Sequence, residues 1–234
     1  MGAMILAAGR GERMRPLSDA VPKPLLRVGG KPLIVWQIEA LVRAGLPDIV
    51  VNASHLAAQL ADALGDGAAF GARLAWSREH EPLEVAGGIA TALPMLPPGP
   101  AIVVSGDVWS TFDIATLVAR ARTMGRDAGA PRAHLVMVPN PPYHPDGDFV
   151  LDGHTLAAAG SGPALTFGNI AVYDTALFAG VARNVKRKML PLFNSWIAQR
   201  IVSGERFDGR WANVGTPADL AALDAHLARA PLAT

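Results

Sequence analysis

The chain has 234 residues, of which 50% are hydrophobic and 18% are charged, so it can bury the core of one globular domain, or at most two small ones, and is not disordered. Lys and Arg total 21 against 20 Asp and Glu, and a net charge of +1 argues against a protein built to coat nucleic acid or an anionic membrane. The count of cysteines is 0, which excludes disulfide bonds, thiolate metal ligands and a thiol nucleophile.

The hydropathy pattern lacks the signatures of a membrane-spanning or secreted chain. No segment approaches the ~20 consecutive apolar residues of a transmembrane helix. The apolar run at residues 3–8 is too short for a signal peptide, and Arg10, Arg13 and Arg15 follow it instead of preceding it. We therefore expect a cytoplasmic protein.

Short apolar runs alternate with segments of helical period as far as Val138. Buried strands are predicted at residues 3–8, 48–52, 73–76, 101–105 and 134–138. Helices are predicted between them, at residues 33–42, 55–64, 88–95 and 112–124. This alternation indicates an α/β fold with a parallel sheet and right-handed crossovers. Such sheets bind ligands beyond the carboxyl ends of their strands, so the loop at residues 9–23 should lie beside Asn52 and Asp107.

The pattern changes after Val138. Residues 139–148 are rich in Pro and Gly and are predicted to form a loop. Strands are predicted at residues 149–151 and 165–173, around a substrate pocket, and helical period returns at residues 188–201 and 217–227. We expect a single domain over residues 1–234.

The loop after the first predicted strand is the most informative segment. Gly9 and Gly11 allow backbone N–H groups to approach phosphate oxygens, and Arg10, Arg13 and Arg15 supply guanidinium donors. A dinucleotide-binding motif would need a third glycine, and a P-loop would need Gly-Lys-Ser/Thr; the sequence has neither here. We predict a phosphate-binding loop of another kind, with an ordinary basic loop as the alternative.

Four motifs are spread over nearly the whole chain. They are Leu6-Ala7-Ala8-Gly9-x-Gly11-x-Arg13-Met14-x-Pro16-Leu17, Pro22-Lys23-Pro24-Leu25, Gly106-Asp107-Val108 and Trp211-x-Asn213-Val214-Gly215-Thr216. Together they resemble the sugar-1-phosphate nucleotidyltransferases. The resemblance implies a Rossmann-like three-layer α/β/α sandwich with a mostly parallel mixed sheet. It also implies that residues 1–138 mainly bind the nucleotide, and that residues 139–234 mainly form the sugar-binding part and the C-terminal helices.

The resemblance implies three catalytic residues, Arg13, Lys23 and Asp107. Arg13 would contact the phosphates of a nucleoside triphosphate (NTP), Lys23 would bridge phosphates at the reacting centre, and Asp107 would bind Mg²⁺ together with Asn213. Gly-Asp after a strand is otherwise a common turn or helix cap. Lys23 stands between two prolines that stiffen the backbone, an arrangement that a surface lysine does not need.

Residues 83–89 are similar to the base-recognition loop of that family, in which glycines let backbone amides reach the base. A Gly-rich turn that begins a helix is the alternative. Asn52 ends a predicted strand and is placed for contacts to the base or the ribose. The nucleotide-binding residues expected from the resemblance are Ala7, Ala8, Gly9, Gly11, Arg13, Asn52, Glu84, Gly87 and Gly88.

Within the family, the pattern is most similar to the small bacterial uridylyltransferases that act on N-acetylmuramate 1-phosphate in cell-wall recycling. The supporting segments are Leu83-Glu84…Gly87-Gly88-Ile89, Gly106-Asp107-Val108-Trp109 and Gly147-Asp148-Phe149. This similarity implies that Asp148 and Asn169 line the sugar pocket and that Lys188 holds the sugar phosphate. Lys186, Arg187 and Lys188 are otherwise the solvated start of a helix.

Two positions depart from that pattern. Val85-Ala86 stand where the subfamily usually has Thr-Gly, which leaves the choice of base open. Asn213 stands where the family has an aspartate, and an amide oxygen can ligate Mg²⁺ without contributing a negative charge.

We therefore expect Mg²⁺-dependent transfer from UTP to N-acetylmuramate 1-phosphate, with release of pyrophosphate. The partners would be these small molecules, without nucleic acid or a membrane, and the protein would be a monomer or a small homo-oligomer. Four alternatives remain: GTP with mannose 1-phosphate, dTTP or UTP with glucose 1-phosphate, transfer of CMP to phosphocholine, and a non-catalytic regulator that binds nucleotide sugars.

Overall fold

A computed structural model describes residues 1–124, 130–158 and 160–229. The strands in this part of the chain are β1 (Gly2–Leu6), β2 (Arg27–Val28), β3 (Lys31–Pro32), β4 (Asp48–Ala53), β5 (Arg73–Arg78), β6 (Pro100–Ser105), β7 (Val108–Ser110), β8 (Ala133–Val138), β9 (Phe149–Asp152), β10 (Thr155–Ala158), β11 (Ala164–Asp174), β12 (Val202–Arg206) and β13 (Trp211–Asn213). The α-helices are α1 (Leu17–Ala20), α2 (Leu33–Arg43), α3 (Ala57–Leu64), α4 (Glu84–Ala92), α5 (Ile114–Ala121), α6 (Leu190–Ala198) and α7 (Pro217–Arg229). Among the described residues, no helix is both long enough and apolar enough to cross a membrane.

Nine strands form one mixed sheet in the order β5-β4-β1-β6-β11-β8-β12-β10-β9. The first four run parallel, because helical crossovers connect them. Beyond β6 the sheet contains both antiparallel and parallel pairs. Strand β11 is antiparallel to both β6 and β8, whereas β12 is parallel to β8. The mixed α/β sheet confirms the predicted fold class, although only its first half is parallel throughout.

The sheet is covered by helices on both faces. Successive residues of a strand point to opposite faces, so Ala3 and Ile5 pack with α2, α3 and α5, whereas Met4 packs with α4 and α6. A third apolar cluster, which includes Met14 and Val214, joins the loop after β1 to α7. The architecture is therefore the predicted three-layer sandwich, with a smaller core that supports the loops above the sheet.

Several predicted boundaries were wrong. Helix α4 begins at Glu84 and not at residue 88, because Gly87 and Gly88 lie inside the helix, where neighbouring atoms leave no room for a side chain. The loop after β1 contains short helical turns and the β2–β3 hairpin, which the sequence pattern did not predict. The pairing of β7 with β13 was also missed, because both strands are only three residues long.

Candidate active site

The carboxyl ends of β1, β4 and β6 meet at one edge of the sheet. Leu6 is in register with Asn52 on one side and with Ser105 on the other. The glycine-rich loop therefore starts between Asn52 and Asp107, as expected for a parallel sheet. Three of the cavities that the described residues line contain predicted nucleotide-binding or sugar-binding residues, and they are called the central, the strand-end and the Asp148 cavity below.

Lys23 and Asp107 form the closest charged contact at this edge of the sheet. The Nζ atom of Lys23 donates to Oδ2 of Asp107 at 2.6 Å, and the two side chains are 10% and 30% exposed. Gly11 has a φ of +64°, and a Cβ atom there would lie 3.1 Å from Cβ of Lys23. Gly11 is thus required both by its backbone conformation and by the close approach of the lysine.

Arg13 lies against the segment that begins helix α7. Asp219 accepts hydrogen bonds from the backbone N–H groups of Gly215 and Thr216, while the Thr216 hydroxyl accepts one from the Asp219 N–H. This is a capping box, which holds the segment rigidly. A Cβ atom on Gly215 would lie 3.2 Å from a terminal guanidinium nitrogen of Arg13. The Gly-Thr pair therefore allows the arginine to lie close to the backbone.

The central cavity has a volume of about 610 Å³ and carries an excess of positive charge. Its lining includes the cations Arg10, Arg13, Lys23 and Lys186 and the carboxylates Glu12 and Glu81. Cations that converge on one space, with Gly11 between them, suit a ligand with several phosphate oxygens.

Asn213 lies beside Asp107 through the pairing of β7 with β13. Asn213 is in register with Val108, and the N–H of Val214 donates to the carbonyl oxygen of Asp107 at 3.0 Å. The side-chain oxygen Oδ1 of Asn213 is buried and has no hydrogen-bond partner among the described residues. A buried acceptor without a partner is costly.

Carboxylate and amide oxygens are the ligands that Mg²⁺ prefers, so Asp107 and Asn213 fit this ion. The described residues contain no group of three or more His, Asp or Glu side chains that could hold a metal ion. An ion at this position would therefore need further ligands from a bound phosphate or from water, which is usual for Mg²⁺.

The strand-end cavity, of about 320 Å³, opens beside the carboxyl ends of β1, β4 and β6. Four of the predicted nucleotide-binding residues line it, namely Ala8, Gly9, Asn52 and Glu84. The φ of Glu84 is +62°, a strained conformation for a residue other than glycine, and such strain is typical of functional sites. Lys186 lines both this cavity and the central one.

Three other predicted nucleotide-binding residues, Ala7, Gly87 and Gly88, line neither the strand-end cavity nor the central one. Ala7 is buried and its N–H donates to Oδ1 of Asn52, whereas Gly87 and Gly88 lie buried in α4 and are not among the lining residues of the strand-end cavity. A Cβ atom on Gly88 would lie 2.8 Å from both Nδ2 of Asn52 and Oε1 of Glu79. In this structure the two glycines allow close packing of α4 and do not line the cavity.

The Asp148 cavity, of about 490 Å³, contains the two residues predicted for a sugar pocket, Asp148 and Asn169. Oδ2 of Asp148 accepts the N–H of Phe167 at 2.7 Å, and Oδ1 lies 3.1 Å from Nε2 of His144. Asn169 has a φ of +56° and lies in an irregular part of β11, where the register against β8 shifts. Such a bulge turns a side chain out of the normal alternation of the strand. Arg13 lines this cavity as well as the central one.

The prediction for Lys188 is not supported by its position. Lys188 is exposed and is not among the described residues that line the three cavities, whereas Lys186 lines two of them. The N–H of Arg187 donates to the carbonyl oxygen of Leu83, and the N–H of Gly87 donates to that of Arg187. These bonds hold the segment that carries both lysines against the start of α4.

Sequence reasoning missed three residues at the site. Glu79 lines the strand-end cavity, and Tyr143 and His144 line the Asp148 cavity. Although Tyr143 is 53% exposed, partial desolvation of its hydroxyl raises the pKa, and the nearby carboxylate of Asp219 raises it further. The 139–148 segment had been predicted only as a loop, and no local pattern distinguishes Tyr143 and His144 within it.

Comparison with known proteins identifies one family. The profile described as "Nucleotidyl transferase" matches residues 2–142. The chain is 45% identical over 219 residues to the N-acetylmuramate alpha-1-phosphate uridylyltransferase of Neisseria meningitidis serogroup B. The aligned region covers 92% of this chain and 94% of the relative. It is also 34% identical over 116 residues to the mannose-1-phosphate guanylyltransferase of Mycobacterium tuberculosis. That alignment covers 50% of this chain and 32% of the mycobacterial protein.

The fold is also found in solved structures. A protein from Bacillus anthracis, provisionally named a glucose-1-phosphate thymidylyltransferase and solved with sucrose, superposes with a TM-score of 0.85 at 18% identity. The superposition covers 100% of this chain and 98% of that one, so the likeness extends over the whole architecture.

Proposed function

The chain belongs to the nucleotidyl transferase family, and on that premise we propose that it transfers the nucleoside monophosphate of UTP to N-acetylmuramate 1-phosphate and releases pyrophosphate. The similarity to the meningococcal uridylyltransferase along nearly the whole chain supports this choice of substrates. The observation that carries the proposal is the contact between Lys23, which lines the central cavity, and Asp107, which lines the strand-end cavity.

The three cavities suit the parts of the two substrates. The strand-end cavity would hold the base and the ribose, and the cationic central cavity would hold the triphosphate. The Asp148 cavity is lined by the aromatic rings of Phe149, Phe167, Phe193 and Trp211. Apolar walls with a few convergent polar groups such as Asp148 are typical of small-ligand pockets, and this cavity would hold the sugar. We further infer that residues 1–138 mainly bind the nucleotide.

The proposed reaction joins two anions. An oxygen of the sugar phosphate attacks the α-phosphorus of the NTP, the bond from that phosphorus to the bridging oxygen of the β-phosphate breaks, and pyrophosphate leaves. Catalysis of such a transfer consists mainly of positioning and neutralisation of charge. Lys23 and Arg13 would supply positive charge. The phosphate of the sugar must meet the triphosphate in the central cavity, which Lys186 lines, so we propose Lys186 in place of Lys188 for that contact. The reaction needs no covalent nucleophile, in keeping with a chain without cysteine.

Asp107 and Asn213 would hold a Mg²⁺ ion. When bound, the ion would add positive charge at the phosphates. The chain itself would supply one carboxylate and one neutral amide oxygen, so that the nucleotide must contribute much of the remaining negative charge around the ion.

Release of pyrophosphate tests the proposal. The common NTPs are screened with Mg²⁺ against N-acetylmuramate, N-acetylglucosamine, glucose and mannose 1-phosphates, with the Asp107→Asn variant as the control for contaminating activity. We expect the highest kcat/KM for UTP with N-acetylmuramate 1-phosphate. A preference for GTP with mannose 1-phosphate, or equal turnover of N-acetylmuramate and glucose 1-phosphates, would overturn this choice of substrates. Nucleotide-sugar binding without pyrophosphate release would instead indicate a non-catalytic regulator.

A further inference from the structure

A chain of three buried hydrogen bonds joins the two walls of the strand-end cavity. The N–H of Ala7 donates to Oδ1 of Asn52 at 2.7 Å, and Nδ2 of Asn52 donates to Oε1 of Glu79 at 2.6 Å. The N–H of Leu83 donates to the other carboxylate oxygen of Glu79 at 3.0 Å. Ala7 begins the glycine-rich loop and Leu83 directly precedes α4, so the chain of bonds connects these two segments through side chains.

The backbone N–H groups at the two ends of this chain of bonds determine which side-chain atoms accept and which donate. A backbone N–H can only donate, so Asn52 must turn its oxygen to Ala7 and its nitrogen to Glu79. Glu79 then receives one donor on each oxygen, which requires a carboxylate. A glutamine at this position would present its NH₂ group to a donor, either Asn52 or Leu83, and one hydrogen bond would be lost.

Tight packing prevents the two side chains from rearranging. Asn52 and Glu79 are 3% and 6% exposed. The backbone N–H of Glu79 donates to the carbonyl oxygen of Ala53 at 2.8 Å, which anchors this part of the chain to β4. The missing side chain of Gly88 leaves the space that the Asn52 amide and the Glu79 carboxylate occupy. Burial raises the pKa of Glu79, and the hydrogen bonds from Leu83 and Asn52 act in the opposite direction.

We infer that Glu79 is a positioning residue for nucleotide binding, which acts through Asn52 and Leu83 to fix the spacing between the glycine-rich loop and the start of α4. The inference rests on the proposed function, in which the strand-end cavity holds the base and the ribose of UTP. It assigns to Asn52 a role in holding the cavity wall, in addition to its place in the lining.

An exchange of the two side-chain types tests the inference. Glu79→Gln alone places a donor against a donor, and Asn52→Asp alone places a carboxylate against a carboxylate. The double variant Asn52→Asp/Glu79→Gln restores every bond: the new carboxylate accepts from Ala7 and from the new amide, whose oxygen accepts from Leu83. We expect each single variant to raise the KM for UTP roughly tenfold, the effect of one unsatisfied buried group, with an unchanged KM for the sugar phosphate. The double variant should return to within roughly threefold of the wild type.

The matched control is Glu39→Gln, the same chemical change in α2, where Glu39 forms a partly exposed ion pair with Lys31. Its KM for UTP should equal that of the wild type. Thermal unfolding identifies variants that fail to fold, and titration with UTP in the absence of sugar phosphate measures binding directly.

Single variants that bind UTP as the wild type does, or a folded double variant no better than the single ones, would overturn the inference. If the double variant does not fold, folded Glu79→Gln is the test. The inference requires that this variant bind UTP more weakly than the wild type with an unchanged KM for the sugar phosphate, and any other result contradicts it. A wild type that binds UTP but releases no pyrophosphate contradicts the proposed function instead, and the UTP titrations then still test the role of Glu79.

Discussion

The Nζ atom of Lys23 lies 2.6 Å from Oδ2 of Asp107, although the two residues are 84 positions apart in the chain. Each residue comes from a different motif: Lys23 lies in a helical turn of the loop that follows β1, and Asp107 follows the neighbouring strand β6. Loss of either partner leaves the other charge without compensation in a site of low exposure. The pair thus holds two of the three proposed catalytic residues in position before a substrate arrives, which is the preorganisation on which electrostatic catalysis depends.

Removal of a phosphate-facing cation should strongly reduce catalysis. We expect Arg13→Ala and Lys23→Ala each to lower kcat/KM by roughly 10²–10³, the usual effect of deleting one preorganised electrostatic donor. Steady-state kinetics of pyrophosphate release measures it. Arg15→Ala is the control from the same loop, because Arg15 is exposed and pairs with Asp19. Near wild-type turnover by folded Lys23→Ala would contradict the role proposed for this residue.

Lys186 and Lys188 form a matched pair for the sugar-phosphate contact. We expect Lys186→Ala to lower kcat/KM by roughly tenfold or more, since Lys186 lines the central cavity, in which the phosphates of the two substrates would meet. Lys188→Ala should leave the rate unchanged, because Lys188, although exposed like Lys186, is not among the described residues that line the three cavities. Steady-state kinetics, with the concentration of the sugar phosphate varied at saturating NTP, measures kcat/KM for both variants. A larger loss in Lys188→Ala than in Lys186→Ala would support Lys188, the residue expected from the sequence.

The amide at position 213 should weaken the proposed metal site. We expect Asn213→Asp to lower the Mg²⁺ concentration for half-maximal rate, because a charged ligand replaces a neutral one. Asp107→Asn should nearly abolish turnover, since it removes the carboxylate and also the partner of Lys23. Titration of both variants and the wild type with Mg²⁺ measures these effects. Identical curves for Asn213→Asp and the wild type would show that this side chain does not contact the metal.

Gly87 should be required for packing. A Cβ atom there would lie 2.3 Å from the carbonyl oxygen of Val185, so Gly87→Ala must displace the backbone beside Lys186. We expect a loss of about 1–3 kcal/mol in the free energy of unfolding together with lower activity. Gly180→Ala is the control, because a Cβ at Gly180 meets nothing within 4 Å. Urea unfolding of both variants measures the difference, and equal stability would refute the packing role.

Acid should destabilise the protein through a buried histidine. His134 is fully buried, bonded to Ser203 Oγ at 2.8 Å and to Glu205 Oε1 at 3.1 Å, and burial lowers its pKa from 6.5. Between the lowered folded pKa and 6.5 the unfolded chain binds more protons, so the free energy of unfolding falls as the pH falls through this range. The hydrogen bond from His134 lowers the pKa of Glu205 below 4.5, which adds the same trend at lower pH.

Urea unfolding at about pH 7.5 and about pH 5.5 measures the contribution of His134, since both pH values lie above the range in which Glu205 titrates. We expect a smaller loss of stability between the two pH values in His134→Gln than in the wild type. His80→Gln, at an exposed histidine, should behave as the wild type does. An unchanged pH dependence in His134→Gln would show that another group is responsible.

The candidate residues whose positions agree with the sequence analysis are those whose placement follows from a short local pattern. Gly11 is followed within the same loop by Arg13, and Asp107 directly follows a buried strand, so each is placed at the end of a strand by the rules of parallel sheets. Asn213 was paired with Asp107 through the resemblance, and the β7–β13 pairing does place them side by side. For Gly11, Arg13 and Asp107 the order of the parallel strands was enough, whereas the position of Asn213 depended on the resemblance.

The sequence alone thus determined the α/β class and the edge of the sheet at which the candidate site lies, because alternating apolar runs and glycine-rich strand ends are local in the chain. It also indicated the family, through the resemblance of four motifs. Only the tertiary structure shows that Lys186 lines the central and the strand-end cavities, because the segment that carries it is bonded to Leu83 and to Gly87 of α4 through Arg187. The position of Glu79 was decided in the same way, since its partners Asn52 and Leu83 come from different segments. The reason is physical: which way a side chain points in an irregular segment depends on contacts between residues far apart in the chain, and no local pattern records them.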